Sequence, residues 1–368
     1  MTPRERYIRT LRFQQPDRIP LMPGGPRRST LQRWSREGLG DRADWWGAVC
    51  QAVGVEPAAG AGPVGVAMNS RMIPQFEEKV LEHRGSHLVV QDWKGNVCEI
   101  SDAFDVSYLR NAIDFVTRRW IRCPVESRDD WERMKARYDP DDPARMPDTL
   151  PDADGRPLAV GVNGPFWQMR EWCGFEGLCM MMIDDPGLVD DMASFWCGFV
   201  ASLLERLCER VVPDVLFISE DMAYKVKAMI SPAMTRRWCL PSWRRWTDLV
   251  MAGGCPLVDM DSDGFVGELI PLWIEAGINV CDPIEVAAGN DLAAYCRQYG
   301  RSIAYRMGVD KRAIAAGGAV LAAELDRLAP LIRAGGYIPG CDHGVPSDVS
   351  WDNFVDYTGR LAELTGWR

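Results

Sequence analysis

The sequence predicts an α/β protein folded as a single closed (β/α)8 TIM barrel with an elaborated N-terminal cap, and three observations carry that prediction. Short apolar runs at residues 158–162, 214–219, 256–261, 278–282, 302–306 and 336–339 alternate with helical stretches, the pattern of a parallel sheet with crossover helices. No dinucleotide fingerprint opens the chain, which favours a closed ring over an open sheet. Polar clusters directly follow four of the runs: Glu220-Asp221, then Asp259, Asp261 and Asp263, then Asp282 with Glu285, and finally Asp342-His343. The strands of a parallel barrel all end on one face, so residues remote in sequence converge there.

The elements follow in order. Thr2 is a helix N-cap, with Pro3 at the first helical position and Glu5 completing a capping box. This helix runs to about Phe13 and is ended by Gln15-Pro16-Asp17. Residues 18–22 are expected as the first strand. A loop through Gly24-Gly25-Pro26-Arg27-Arg28 then leads to helices over 29–37 and 42–53. Residues 54–70 are rich in Gly, Ala and Pro and predict a loop. Gly60, Gly62 and Gly65 formally match G-x-G-x-x-G, but Pro63 interrupts the match and neither a strand before nor a helix after it is expected. A hairpin is expected over 86–101, turning at Trp93-Lys94-Gly95, followed by a strand near 115–117, a helix over 129–138 and a Pro/Asp-rich connector over 139–156. The chain is therefore expected as one domain over 1–368, with 54–155 as its cap. Beyond it, helices are expected over 187–211, 231–252, 265–276, 289–299, 318–334 and, capped by Ser350, 351–364.

Composition excludes several function classes. Hydrophobic residues at 47% and charged residues at 26% suit a globular enzyme rather than a disordered chain. The 42 basic and 52 acidic residues give −10 with no basic block, so nucleic acid is not an expected partner. No apolar run approaches the roughly 20 residues that span a bilayer, and the first residues lack a signal-peptide core, so a cytoplasmic location is expected. The 12 cysteines form no C-x-x-C pair and are expected as reduced thiols. Cys123, Cys179, Cys197, Cys208 and Cys296 are expected in the core, whereas Cys281 and Cys341 stand beside strand-end carboxylates and are candidates to touch the site.

Asp259, Asp261 and Asp263 alternate with period two, so a continuing strand projects all three from one face. Carboxylates that close repel unless a cation or an arginine compensates them. Asp263 has a second reading, as a cap ahead of the next helix. Either Glu220 or Asp221 shares a surface salt bridge with Lys225, or Glu220 serves as a metal ligand or positioning base, with Lys225 supporting a carboxylated ligand. Glu285 occupies the corresponding place one strand later. Of the three histidines, His83 and His87 are spaced i, i+4, but Gly85 breaks a helix between them and they are expected at a surface or turn. His343, in a tight turn after the last strand, is expected to act in catalysis or metal binding. Trp167, Arg170 and Trp172 follow the 158–162 run and are expected to wall a pocket that stacks a substrate and pairs its carboxylate.

Three segments carry a family resemblance: Thr2-Pro3-Arg4-Glu5-Arg6 with Gln15-Pro16-Asp17-Arg18-Ile19-Pro20; Asp261-Ser262-Asp263-Gly264 with Glu275-Ala276-Gly277-Ile278-Asn279; and Gly335-Gly336-Tyr337-Ile338-Pro339 with Asp342-His343-Gly344-Val345-Pro346. They resemble the uroporphyrinogen decarboxylase superfamily along nearly the whole chain, more weakly over 54–155. The resemblance implies a (β/α)8 barrel and one of two activities. The decarboxylase branch uses an arginine-rich N-terminal loop, for which Arg27 and Arg28 stand here, and a histidine turn matched by His343. The zinc-dependent methyltransferase branch places His-x-Cys after a middle strand, where this chain has Asp261 and Asp263.

The leading expectation is a zinc-dependent methyltransferase that moves a methyl group from a small O-, N- or S-methyl substrate to a corrinoid. Zinc would be held by Asp261, Asp263, Glu285 and His343, with Glu220, Asp261 and His343 as the catalytic set. Arg27, Arg28, Trp167, Arg170, Trp172 and Lys225 would bind substrate. A corrinoid (cobalamin) on a partner protein and a homodimer are the expected associations. The alternative is a cofactor-independent decarboxylase of a carboxylated cyclic substrate.

Overall fold

A computed structural model describes residues 1–104, 106, 108–111 and 118–368, so the strand expected over 115–117 lies outside the described residues. Among the described residues eleven strands form two sheets: β1 (Val64–Gly65), β2 (Lys79–Arg84), β3 (His87–Gln91), β4 (Val97–Ser101), β5 (Arg119–Arg122), β6 (Leu158–Asn163), β7 (Val215–Ser219), β8 (Leu257–Asp261), β9 (Val280–Asp282), β10 (Ala304–Arg306) and β11 (Tyr337–Ile338). The main sheet is curled and has the order β1-β6-β7-β8-β9-β10-β11, with every neighbouring pair parallel. Helices connect successive strands, the longest being Pro186–Cys208 after β6 and Gly318–Ala334 before β11.

The strand expected over 18–22 forms no ladder. Pro20, Pro23 and Pro26 remove three of the N–H donors that a ladder needs. The segment nonetheless lies extended between the two edges of the curled sheet. Leu21 N donates to Ala59 O at 2.9 Å just before β1, and Cys341 N donates to Pro23 O at 3.0 Å just after β11. The glycine-rich loop expected over 54–70 contains β1 itself, two residues too short to announce a period.

Side chains alternate along these strands, and the two faces pack differently. Ala159, Val215, Leu257, Val280, Ala304 and Ile338 point inward low in the sheet and pack on Tyr7 and Leu11 of the first helix, Pro3–Leu11. That helix therefore plugs the N-terminal end of the curl, started by the Thr2–Glu5 capping box. Val160, Leu216, Ile218, Val258, Met260 and Cys281 point outward into the helical layer. Pro186–Cys208 is the one described helix long and apolar enough to cross a membrane by length and composition, and 56% of its apolar window is buried inside the fold. Trp196, Val200, Leu203 and Leu204 of that helix are core residues.

The cap carries a separate antiparallel sheet, β2-β3-β4-β5. The expected hairpin is β3 and β4, and its turn is fastened by Asp92 Oδ1, which accepts from Lys94 N and Asn96 N at 2.9 Å each. Strand β2 is exposed at all six positions, so no apolar alternation marks it in sequence. His83 and His87 are exposed on β2 and β3, in line with the surface reading.

Candidate active site at the C-terminal ends of the strands

Asn163, Ser219, Asp261 and Asp282 are the last residues of β6 to β9 and stand in register across the sheet. Arg306 ends β10 in the same tier. Their side chains share the inward face with Asp259, which lies two residues before Asp261 and is buried. The compensating cation demanded by the aspartate spacing is Arg306. Its Nη1 lies 2.6 Å from Asp259 Oδ2 and 3.1 Å from Asp282 Oδ2, and its guanidinium lies over the Phe217 ring. Burial raises the Asp259 carboxyl to about 7 against the pull of Arg306. Asp282 is raised for the same reason.

Among the described residues no arginine pairs with Asp261. Burial first, and then Asp282, Asp263 and Asp259, push its carboxyl up to about 8, while the Ser219 hydroxyl donates to it and partly opposes the rise. Asp261 is nonetheless half-buried rather than sealed. A neutral carboxylic acid therefore sits within reach of the mouth of the sheet at neutral pH.

The loops above it are laced together. His343 Nε2 lies 3.0 Å from Asp263 Oδ2. His343 Nδ1 accepts from Gly344 N at 2.6 Å and faces Arg27 Nη2 at 3.1 Å. These donors assign the proton to Nε2, which donates to Asp263. The bond to Asp263 raises the His343 pKa, with Arg27 opposing. Glu285 Oε1 receives Lys311 Nζ at 3.0 Å and its Oε2 receives Gly264 N at 3.1 Å. Asp342 Oδ2 accepts from Val286 N at 3.0 Å. Gly264 has φ +85°, and a Cβ there would meet Ala223 O at 2.6 Å, so only glycine fits the turn that aims Asp263.

The expected zinc set does not assemble. Among the described residues no three His, Cys, Asp or Glu side chains form a group able to hold a metal ion. Glu285 is taken by Lys311, Asp263 by His343 and Asp261 by Ser219. Asp261 and the Asp263–His343 pair do share the mouth, but Glu285 serves as a loop anchor.

Other expected site residues are also redistributed. Glu220 is buried and forms no pair with Lys225. Its Oε2 accepts from Trp167 N at 2.9 Å and its Oε1 from Trp243 Nε1 at 2.7 Å. It thus anchors the N-terminal turn of the helix Pro165–Cys173. Trp172 is buried core and donates to Tyr138 Oη at 2.9 Å. Trp167 is half-buried on a cavity wall. Arg170 pairs with Asp221 at 3.0 Å and covers the Trp167 ring. Arg28 and Lys225 are exposed. Cys281 and Cys341 are buried and their thiols are raised by burial, so neither offers a thiolate. Cys123, Cys179, Cys197, Cys208 and Cys296 are only half-buried.

Burial raises Glu220 from 4.5 to about 8, and this predicts a stability slope. The folded state holds a proton that the unfolded state releases, so the contribution is complete below about 4.5 and is lost as pH rises towards 8. Glu220→Gln is expected to flatten the fall in unfolding free energy between pH 5 and 8 by up to about 1.4 kcal/mol per pH unit. It loses one acceptor for a tryptophan N–H, at about 1 kcal/mol. Urea melts of both proteins across that range check this, and parallel slopes would contradict it.

No family model matches this chain, and no curated protein matches it either. Solved structures do match its fold. One is a methyltransferase from Methanosarcina mazei, 12% identical, with a TM-score of 0.55 over 99% of each chain. At that identity the likeness concerns the fold.

Proposed function

We propose that this protein is a methyltransferase-type enzyme that removes a methyl group from a small O-, N- or S-methyl compound at the mouth of the curled sheet. The observation that carries the proposal is the placement of Asp261, half-buried at the end of β8 in a tier of strand-end polar groups with Ser219 and Asp282, where burial and the neighbouring carboxylates raise its carboxyl to about 8. The segment over 19–25 serves in this reading as the eighth stave, making the domain a (β/α)8 barrel of the uroporphyrinogen decarboxylase kind. The fold likeness to a methyltransferase supports it by analogy.

The chemistry asks one main thing of these residues. When a nucleophile takes the methyl carbon, the bond to the substrate heteroatom breaks and its electron pair stays on that heteroatom. Asp261 donates its proton there, leaving a carboxylate that solvent reprotonates. Ser219 orients the Asp261 carboxyl, and the carboxylates of Asp282, Asp263 and Asp259 keep it protonated. The chain Arg27–His343–Asp263 holds the opposite wall. The acceptor comes from outside the chain, and a corrinoid on a partner protein is the class that the family resemblance implies. The residues do not fit a zinc ion, so no step is routed through one.

A decarboxylase reading rests on the same acid, which would protonate a carbanion as readily as a heteroatom. Incubation with a panel of methoxy, methylamino and methylthio compounds and free cob(I)alamin separates the readings. Methyl transfer followed by proton NMR supports the proposal, and carbon dioxide release from carboxylated members without methyl loss would replace it.

A further inference from the structure

Beside the mouth, a cavity of about 640 Å³ runs between the cap and the main sheet. Arg71, Trp93 and Lys94 of the cap line it, and Asn163, Trp167 and Ser219 line it from the sheet side. Ser219 stands in register with Asp261 on the neighbouring strand, so the cavity runs from the cap to the residue beside the acid.

The cap end gathers positive charge in a chain that is otherwise acidic, at −10. Arg71 and Lys94 both stand over the Trp93 ring, 5.3 and 5.2 Å from its centre, and Arg118 and Arg170 are near enough to repel the Lys94 ammonium. The carboxylates that face this group are largely committed. Glu171 contacts Lys94 closely, Asp92 fastens the hairpin turn and Asp221 takes Arg170. Arg71 and Arg118 have no carboxylate partner among the described residues and rest on the rings of Trp93 and Trp120. Arg110 also covers Trp93 but is paired with Glu78. Arg71 and Lys94 line the cavity together with Glu171, which is paired with Lys94, so the charge of Arg71 is left unbalanced by the cavity's own lining among the described residues and is placed for an anion.

We infer that Arg71 and Lys94 form an anion subsite that holds an acidic group of the substrate, a carboxylate, sulfonate or phosphate, while its methylated end reaches Ser219 and Asp261. The far end rests on the methyl-transfer reading above, whereas the subsite stands on the cation cluster alone. Arg71 is exposed and free to swing onto the acid. Lys94 is held in place by its ion pair with Glu171 and by the hairpin turn, and supplies N–H donors at a fixed position, whereas Arg71 brings the uncompensated charge.

The test is isothermal titration of the full-length protein at constant ionic strength with 4-methoxybenzoate, 4-methoxybenzenesulfonate, 4-methoxyphenyl phosphate and the neutral 4-methoxybenzamide. At least one acid is expected to bind about tenfold or more tightly than the amide, and the tightest names the head group. Arg71→Gln and Lys94→Met are each expected to weaken that acid about tenfold and to leave the amide unchanged. Circular dichroism checks that both fold, and Arg71→Gln alone suffices if Lys94→Met does not. Acids that bind no better than the amide, or that do not bind at all, would overturn the subsite. Charge-dependent binding without methyl loss would sink the methyl-transfer reading and leave the subsite standing.

Discussion

Asp261→Asn is expected to lower turnover by about 10²–10⁴-fold, the usual worth of a positioned general acid, with substrate affinity changed by a few-fold at most. The amide keeps the shape of the carboxyl and its contact with Ser219 but has no acidic proton to give. The pH dependence has a definite sign. Burial and three neighbouring carboxylates lift Asp261 to about 8, so the active, protonated form dominates at neutral pH and the rate falls as pH rises past about 8. Asp282→Asn removes the largest of those carboxylate effects and is expected to move that falling limb to lower pH. A rate that instead climbs through pH 8 and 9 in the parent protein would mean that the carboxylate, not the acid, is the working form.

Arg306→Met is expected to be the most destabilising single change at the site. It leaves Asp259, which is completely buried, and Asp282 facing each other without their cation. Removing one partner of a buried ion pair typically costs about 3–5 kcal/mol, a large part of the roughly 5–15 kcal/mol that holds a domain folded. Adding Asp259→Asn and Asp282→Asn to Arg306→Met should restore much of the loss, because neutral amides need no counter-charge. Guanidinium unfolding of the three proteins checks this. A single variant within 1 kcal/mol of the parent would mean that the cluster is solvated.

The sequence makes the alternation from Leu158 to the C terminus legible because the strands there are short, largely buried apolar runs, most of them next to a glycine, proline or aspartate. Strand positions from β6 to β11 accordingly fall within two residues of expectation. Two kinds of element escape such reading. Strand β1 is too short to show a period, and β2 is exposed on both faces, so hydrophobic patterning is absent from each. At the site, the period-two aspartates correctly imply a shared face and a need for positive charge. The arginine that meets the need comes from β10, and no local spacing links residue 306 to residue 259. Its one sequence signal is its place at the end of an expected strand. Glu220 misleads for the opposite reason: it has the strand-end position of a catalytic acid but turns into the core, where two tryptophan N–H groups claim it. Glu285 looks like a metal ligand until Lys311, the first residue of the helix after the next strand, takes its oxygen.

A site-resolved titration of Asp261 addresses the central claim without knowledge of the substrate. Carbon-13 NMR of protein labelled at aspartate side-chain carboxyls, with the Asp261 signal assigned by its loss in Asp261→Asn, reads its protonation directly. The expected result is a carboxyl still protonated at pH 7, with a midpoint near 8. A signal already that of a carboxylate at pH 5 would contradict the proposed acid and the chemistry built on it.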